Sequence, residues 1–164
     1  MPFKVEARFD DLKPLLDRLK ELPRKLGKKV LRAAVASATR KLAREAKGRA
    51  KGFRRTGILW KSLGSKVKAY PASGTVVGIV GARQGFRQQI GVAQKDSRDG
   101  ARYPRKAGDP IYANPVKYLH LVELGTVRSR ANPFLADAQR AMHAAIRAEI
   151  AAAVNKGLTE ALKP

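Results

Sequence analysis

The spacing of apolar residues predicts two helices in the first third of the chain. Leucines recur at helical spacing from Leu12 to Leu22, and Pro23 ends that pattern. A longer helix follows over residues 24–50, with small apolar residues along one side and basic residues on the other faces. The small side chains would let this second helix lie close against a sheet or a neighbouring subunit.

An alternating pattern replaces helical spacing after Gly57. Val67 and Ala69 alternate with lysines over residues 65–70, and residues 75–82 form an apolar, β-branched run that is typical of a central strand. Pro, Ser and Gly residues between the two segments favour a turn. We therefore predict a β-hairpin within residues 55–82.

The next segment, residues 83–117, is rich in Gly, Pro, Gln, Arg and Asp and has no clear period. We predict a long basic loop or arm with at most short strands, for instance around 89–93. A connection of this length in a compact domain is usually functional or disordered. Residues 118–126 begin with the apolar run YLHLVEL, which predicts a strand or a single helical turn ending at Gly125.

The last helix is predicted over residues 132–162, with Asn132 as its cap and Pro133 at its first position. Residues 1–9 would be an N-terminal extension, and residues 10–50 would be helical. The order of elements predicts one α+β domain over 1–164. In this fold a long N-terminal helix and a C-terminal helix pack on a small antiparallel β-sheet, with a long basic arm.

The net charge narrows the class of partner. The chain carries 35 Lys and Arg against 13 Asp and Glu, a formal net charge of +22, and no acidic residue lies between Glu45 and Asp96. Such a surface attracts polyanions, of which nucleic acid is the first candidate and an anionic membrane or an acidic protein the next. A solvated basic surface without a target is the alternative. Because no base-reading motif is present, DNA contacts should be to phosphates and strongly salt-dependent.

The residues that catalysis or metal binding would need are scarce. The chain has 0 Cys and 2 His, which excludes thiol chemistry and cysteine-ligated zinc. His120 and Glu123 have a His-x-x-Glu spacing, but no second ligand cluster lies near them in sequence. Neither a nucleophile elbow nor a phosphate-binding loop occurs. We therefore expect no enzymatic activity, no cofactor and no metal. No apolar run reaches the length of about 18 residues that a membrane span needs. The apolar side of the long helix is mostly Ala, whereas large apolar side chains anchor a helix on a lipid surface, so we also expect no membrane partner.

Three segments occur in an order that resembles a known family. They are RTGIL at 55–59, YLHLVELGT at 118–126 and ANPFL at 131–135. Behind a long Ala-, Lys- and Arg-rich helix they resemble the tailed-phage neck family of head–tail joining, or tail-completion, proteins, which is related to the minor tail protein Z group. Phe53, Leu124 and Asn132 stand where that family usually has Pro, Phe and Arg, and residues 83–117 exceed its usual short connection. The matched motif residues are Arg55, Thr56, Gly57, Leu59, His120, Glu123, Gly125, Thr126, Pro133 and Phe134.

The resemblance, which covers about residues 10–160, implies a structural virion protein of the neck. It implies a closed ring of identical subunits, of about six copies as the first hypothesis and about twelve as the second. Head-closure, adaptor or tail-terminator rings and tail-tube proteins would be its neighbours, and genomic DNA would pass through without specific binding. The protein would be found in the virion, and in the host cytoplasm during assembly. The alternative is a stand-alone basic nucleic-acid-binding protein of nucleoid or ribosomal type, which explains the charge but not the order of the motifs.

Two groups of residues follow as candidate sites. Glu123 lies in an apolar run, where an ionised carboxylate needs partners such as the Thr126 hydroxyl, backbone N–H groups or Arg55. It would anchor the Gly125–Thr126 turn or form an ion pair between subunits. In the neck interpretation, cations of the arm would face DNA or a partner: Arg83, Arg87, Lys95, Arg98, Arg102, Arg105 and Lys106.

Overall fold

The computed structural model describes residues 17, 24–52, 57–70, 75–97 and 104–161. Its elements in chain order are α1 (Arg24–Ala50), α2 (Ile58–Ser62), β1 (Leu63–Tyr70), β2 (Thr75–Ala82), β3 (Gln88–Val92), β4 (Pro110–Ala113), α3 (Pro115–Leu124) and α4 (Phe134–Ala161). Two long helices and two small antiparallel sheets make an α+β fold, which confirms the predicted class. The predicted leucine-rich helix before Pro23, the Arg55–Thr56 pair and the turn at 71–74 lie outside the described residues.

The two long helices, α1 and α4, pack side by side in opposite directions. Ala34 and Ala38 of α1 are buried against Ile150, Val154 and Leu158 of α4. Alanines of α1 therefore face larger aliphatic residues of α4 across the seam. α1 spans residues 24–50 as predicted. Its small-residue side packs against α4 of the same chain.

Close approach of the two helices depends on a glycine. A Cβ atom at Gly157 of α4 would lie 2.5 Å from Cγ1 of Val30, nearer than two carbon atoms can pack. About two turns away, Glu149 of α4 accepts a hydrogen bond from the Ser37 hydroxyl at 2.6 Å and pairs with Lys41. The seam is thus apolar in its interior and polar along one edge.

The β1–β2 hairpin lies against the other side of α1. The predicted hairpin is present, and its antiparallel register runs from Leu63 opposite Ala82 to Tyr70 opposite Thr75. β1 begins at Leu63, two residues before the predicted start. Gly78 of β2 faces α1, since a Cβ atom there would lie 2.1 Å from Oγ1 of Thr39. Because Gly78 has no side chain, the hairpin packs closer to α1 than a larger residue at this position would allow.

A second apolar cluster joins α1, β1, α3 and α4 at the far end of the helix pair. Leu63 and Phe134 are its largest fully buried apolar side chains. The other buried members are Ala46, Ala50, Leu119, Leu135 and Ala138. The first turn of α4 is thus fixed in the core together with the start of the hairpin.

Residues 83–117, predicted to be a long loop or arm, contain two paired strands. β3 and β4 pair as a second antiparallel hairpin with a bulge between Gln89 and Gly91. The strand predicted around 89–93 is thus present as β3, whereas β4 was not predicted. β4 has only four residues and starts at Pro110, and both features weaken an alternating pattern.

Residues 118–124 are helical, whereas the sequence predicted a strand or a single helical turn. They belong to α3, a helix of 10 residues with Pro115 in its first turn. A short, continuous apolar run fits a strand and a buried helix equally well. The signal that decides between them is Asn114–Pro115, a cap position followed by a favourable first residue, which lies before the run.

Candidate functional site

Glu123, a residue of the family-like motif, caps a helix other than its own. Its side chain is 2% exposed. Oε2 accepts a hydrogen bond from the Leu135 amide at 3.1 Å and Oε1 from the Ala136 amide at 2.8 Å. Amides in the first turn of a helix have no partner inside the helix, and negative charge is stabilised there. Backbone N–H groups are therefore the partners of this carboxylate, and they belong to α4 rather than to the Gly125–Thr126 turn.

The start of α4 differs in detail from the prediction. The helix begins at Phe134, and the carbonyl of Pro133 accepts its first hydrogen bond, from the Asp137 amide at 2.8 Å. Asn132 was expected to cap the helix, but the side chain that caps it is that of Glu123. The Asn132 amide instead donates to the Val122 carbonyl at 2.8 Å, which ties α4 to α3.

The Gly125–Thr126 turn lets the chain reverse between α3 and α4. Gly125 has φ +78°, and a Cβ atom there would lie 2.7 Å from the backbone nitrogen of Ala131. The Thr126 amide donates to the Ser129 carbonyl at 2.8 Å, and the Thr126 hydroxyl accepts a hydrogen bond from the Arg128 amide at 3.3 Å. Gly is needed here for both φ and space, so this motif is a structural connection.

The motif around Gly57 is also built into the core. Gly57 has φ +66° and precedes α2, and Leu59 packs against the second apolar cluster. The Trp60 ring packs beside it, with the ammonium groups of Lys51 and Lys61 at 5.3 and 5.9 Å from the ring centre. Trp60 is therefore a packing residue beside the second apolar cluster.

Arg83, predicted to face DNA or a partner, is exposed and also binds backbone. Its guanidinium donates to the carbonyl of Lys61 at 2.9 Å and to that of Ser62 at 3.4 Å, and it lies over the Phe86 ring. The C-terminal carbonyls of a helix favour a positive charge. Arg83 therefore contacts the end of α2.

The remaining described cations of the arm, Arg87, Lys95, Arg105 and Lys106, are exposed. The acids beside them have other partners. Asp96 accepts a hydrogen bond from the Ala107 amide at 2.6 Å, and Asp109 accepts one from the Lys106 amide at 2.7 Å. Two carboxylates of the arm thus accept hydrogen bonds from backbone amides of the same arm. Arg98 and Arg102 lie outside the described residues.

A groove of about 640 Å³ lies between the outer face of the β1–β2 hairpin and α3. His120, half-buried, lines it, and Lys66 and Lys68 border it. In the part of the chain that the structure describes, no three His, Asp or Glu side chains come together as metal ligands. Burial raises the pKa of the neighbouring Tyr118 phenol. The groove therefore offers apolar contact and positive charge.

Four cations on α1 and Lys51, the residue directly after it, lie along one side of the helix and were not among the predicted site residues. They are Lys29, Arg40, Arg44, Lys47 and Lys51, and together with Ala33 and Ala36 they recur every three or four residues. We call these five cations the basic stripe. The helical spacing of the sequence contained this signal, but the exposed side of α1 could not be separated from its packed sides without the fold.

The most exposed large apolar side chains lie at two places. On the β3–β4 hairpin, Ile90, Val92 and Tyr112 are 55%, 54% and 49% exposed. At the C-terminal end of α3, Leu124 is 65% exposed, and Val127 in the following turn is fully exposed. Among the described elements, none packs extensively on β3 or β4 apart from these two strands themselves. Clustered exposed apolar residues are typical of interaction surfaces.

Comparison with known proteins gives no relative from which a function could be transferred. The chain matches no protein-family model, and no curated protein or solved structure matches it significantly. Among the described helices, none is long and apolar enough to cross a membrane. The assignment of a function therefore depends on the arrangement of the residues above.

Proposed function

We propose that this chain is a structural protein of the neck of a tailed phage or phage-derived particle. Identical copies would form a closed ring around the DNA channel and complete the tail or join it to the head. The observation that carries this proposal is the β3–β4 hairpin, whose apolar side chains no other described element covers.

The position of the exposed apolar residues supports a ring over a two-fold dimer. Ile90 and Val92 lie on the hairpin, whereas Leu124 and Val127 lie beside the start of α4. Two different apolar patches on one chain suit a head-to-tail contact, in which one patch of each copy meets the other patch of the next. Such heterologous contacts generate rings when the rotation closes. The family-like motifs then act as the rigid frame that positions the patches.

Cross-linking mass spectrometry on particles purified from the source tests the proposal. We expect cross-links between copies of this chain, and from this chain to portal-side, adaptor, tail-terminator or tail-tube proteins. Its absence from particles that contain the other neck proteins would contradict the proposal. Electron microscopy of the purified protein supplies the matching observation, a ring with a central opening.

A stand-alone basic nucleic-acid-binding protein is the second candidate. The net charge of +22 and the basic stripe of α1 favour it. It predicts tight DNA binding by monomers at physiological salt. The neck proposal predicts ring formation with weak DNA binding per subunit, so sedimentation with and without DNA separates the two candidates.

A further inference from the structure

We infer that the nucleic-acid contact surface of this protein is the basic stripe of α1, rather than the arm, and that its ligand is the phosphate backbone of double-stranded DNA. The inference rests on the proposed function only for the source of the DNA. The surface itself is defined by the helix that carries it, by its exposure and by its charge.

The stripe is held on a rigid element. Two other sides of α1 are occupied, one by α4 through Ala34 and Ala38, the other by the β1–β2 hairpin through Thr39. The stripe lies on the remaining side, where Lys29, Arg40, Arg44 and Lys51 are exposed and Lys47 is half-buried. A side chain on a packed helix loses less freedom on binding than one on a mobile loop.

The charge of the stripe is available to a ligand. In the described part of the chain, none of its five cations forms an ion pair with a carboxylate. Glu45, the one acid within α1, pairs with Arg49 on another side of the helix. Arg40 donates to the Ala36 carbonyl at 3.2 Å, which holds its guanidinium beside the helix. By contrast, Arg83 of the arm is engaged with two carbonyls.

The geometry fits a straight polyanion. From Lys29 to Lys47, the last of these cations on α1, the helix rises about 27 Å, at about 1.5 Å per residue. Double-stranded DNA is stiff over that length and carries one charge per about 1.7 Å of its axis. A row of cations along one side of a helix can therefore contact phosphates without bending the DNA.

The composition of the stripe argues against other polyanions. The uncharged residues between its cations, Ala33 and Ala36, are too small to anchor a helix in a lipid surface, where large apolar side chains are needed. It has no aromatic residue for stacking with unpaired bases, which single-stranded nucleic acids require. Contacts of this kind are independent of base sequence.

Two triple variants with matched charge test the inference. The stripe variant is Arg40→Gln, Arg44→Gln and Lys47→Gln, and the arm variant is Lys95→Gln, Arg105→Gln and Lys106→Gln. Each removes three charges, from +22 to +19, so the overall field changes equally. The probe is a labelled duplex of about 30 base pairs of random sequence, titrated between about 50 and 200 mM salt.

We expect the stripe variant to reduce the slope of log K against log salt by about 2 to 3, at about 0.9 per lost phosphate contact. Its affinity at about 0.1 M salt should fall on the order of 100-fold, whereas the slope of the arm variant should change by less than about 1. An equal loss in both variants, a larger loss in the arm variant, or no duplex binding by the wild type would each overturn the inference. Tighter binding of the wild type to phosphatidylserine vesicles than to the duplex would overturn it in favour of a lipid.

Two further measurements keep the result interpretable. Circular dichroism confirms that each variant is folded, and the single variant Arg44→Gln, with an expected slope change of about 1, replaces the triple variant if that does not fold. Sedimentation of the same samples reports assembly. If the protein forms rings but the stripe and arm variants lose DNA affinity equally, only this inference is overturned. If DNA binding depends on the stripe but no rings form, only the proposed function is overturned.

Discussion

Glu123 presents two carboxylate oxygens, and each faces an amide of α4. The Glu123→Ala variant removes both acceptors and leaves the Leu135 and Ala136 amides without partners next to the core. Losing a charged acceptor and a helix cap together should lower the free energy of unfolding by about 2–4 kcal/mol. Glu123→Gln keeps one acceptor oxygen and should lose about half as much. Urea unfolding measures both values.

The matched control for this prediction is Glu160→Ala, in the last turn of the helix α4 that Glu123 caps. Glu160 is exposed, and its only described ion pair is with Lys156 at 3.9 Å, so its loss should change stability by less than about 0.5 kcal/mol. A Glu123→Ala variant as stable as this control would show that the carboxylate does not cap α4.

Glu149 links stability to pH. Its hydrogen bonds from Lys41 and then from Ser37 hold the pKa of the carboxyl below its usual value of 4.5. Because the pKa is lower in the folded state, the stabilising contribution is complete above pH 4.5 and is lost as the pH falls through the folded pKa. Glu149→Gln should therefore lower Tm at pH 7, with a difference from the wild type that shrinks below pH 4.5.

Thermal unfolding at pH values from 3 to 7 measures this difference, with Glu160→Gln as the control for general charge effects. We expect the control to show no pH-dependent change in Tm relative to the wild type beyond that of an exposed pair. A Tm difference for Glu149→Gln that is constant over this range would mean that the carboxyl has the same pKa in the folded and unfolded states.

At the scale of elements, the contact between α1 and the first hairpin depends on Gly78. A Cβ atom at this position would lie 2.1 Å from Thr39 Oγ1, whereas one at Gly81 would be 4.0 Å from the nearest Leu119 atom. Gly78→Ala must push the hairpin from the helix or force Thr39 from its rotamer, which should cost about 1–3 kcal/mol. Gly81→Ala, on the same strand, should change stability by less than about 1 kcal/mol.

The double variant Gly78→Ala with Thr39→Ala distinguishes this clash from a general loss of strand flexibility. Removing the hydroxyl and methyl of Thr39 makes room, so the double variant should recover part of the loss in urea unfolding. If Gly78→Ala and Gly81→Ala are equally stable, close packing at Gly78 is not a constraint on this fold.

The elements that were predicted well are those with strong local patterns. α1 spans residues 24–50 as expected because its small apolar residues repeat over seven turns, and the first hairpin alternates cleanly. The sequence left α3 open because the seven-residue, mostly apolar run from Tyr118 to Leu124 fits both a strand and a helix. The bond from Glu123 to Leu135 spans 12 residues and depends on the positive φ of Gly125. Such a contact exists only after the chain has turned, so the apolar context of Glu123 predicted a partner but not which one.

At the scale of the whole molecule, the net positive charge opposes assembly of copies, whereas the exposed apolar patches favour it. A chain of net charge +22 repels its own copies, so assembly must gain enough from apolar contact to overcome that repulsion. Salt or DNA that screens the charge should therefore promote assembly, provided that the apolar patches supply the contact.

The apolar side chains of the β3–β4 hairpin provide the direct test. Ile90→Thr with Val92→Thr keeps β propensity but removes apolar area from side chains that are 55% and 54% exposed. Because no described element covers this face, monomer stability should change by less than about 0.5 kcal/mol. Assembly should weaken by about 2 kcal/mol, roughly 30-fold in the association constant, if these side chains become buried between copies.

Native mass spectrometry and sedimentation velocity at moderate salt measure that change, with Val116→Thr as the control. Val116 is also a β-branched residue, 41% exposed, but it belongs to α3 and lines the groove rather than the β3–β4 hairpin. If the hairpin forms the contact, Val116→Thr assembles like the wild type while the double variant dissociates. A wild-type chain that stays monomeric, or equal effects in both variants, would remove the hairpin as the contact between copies and with it the main support for a ring.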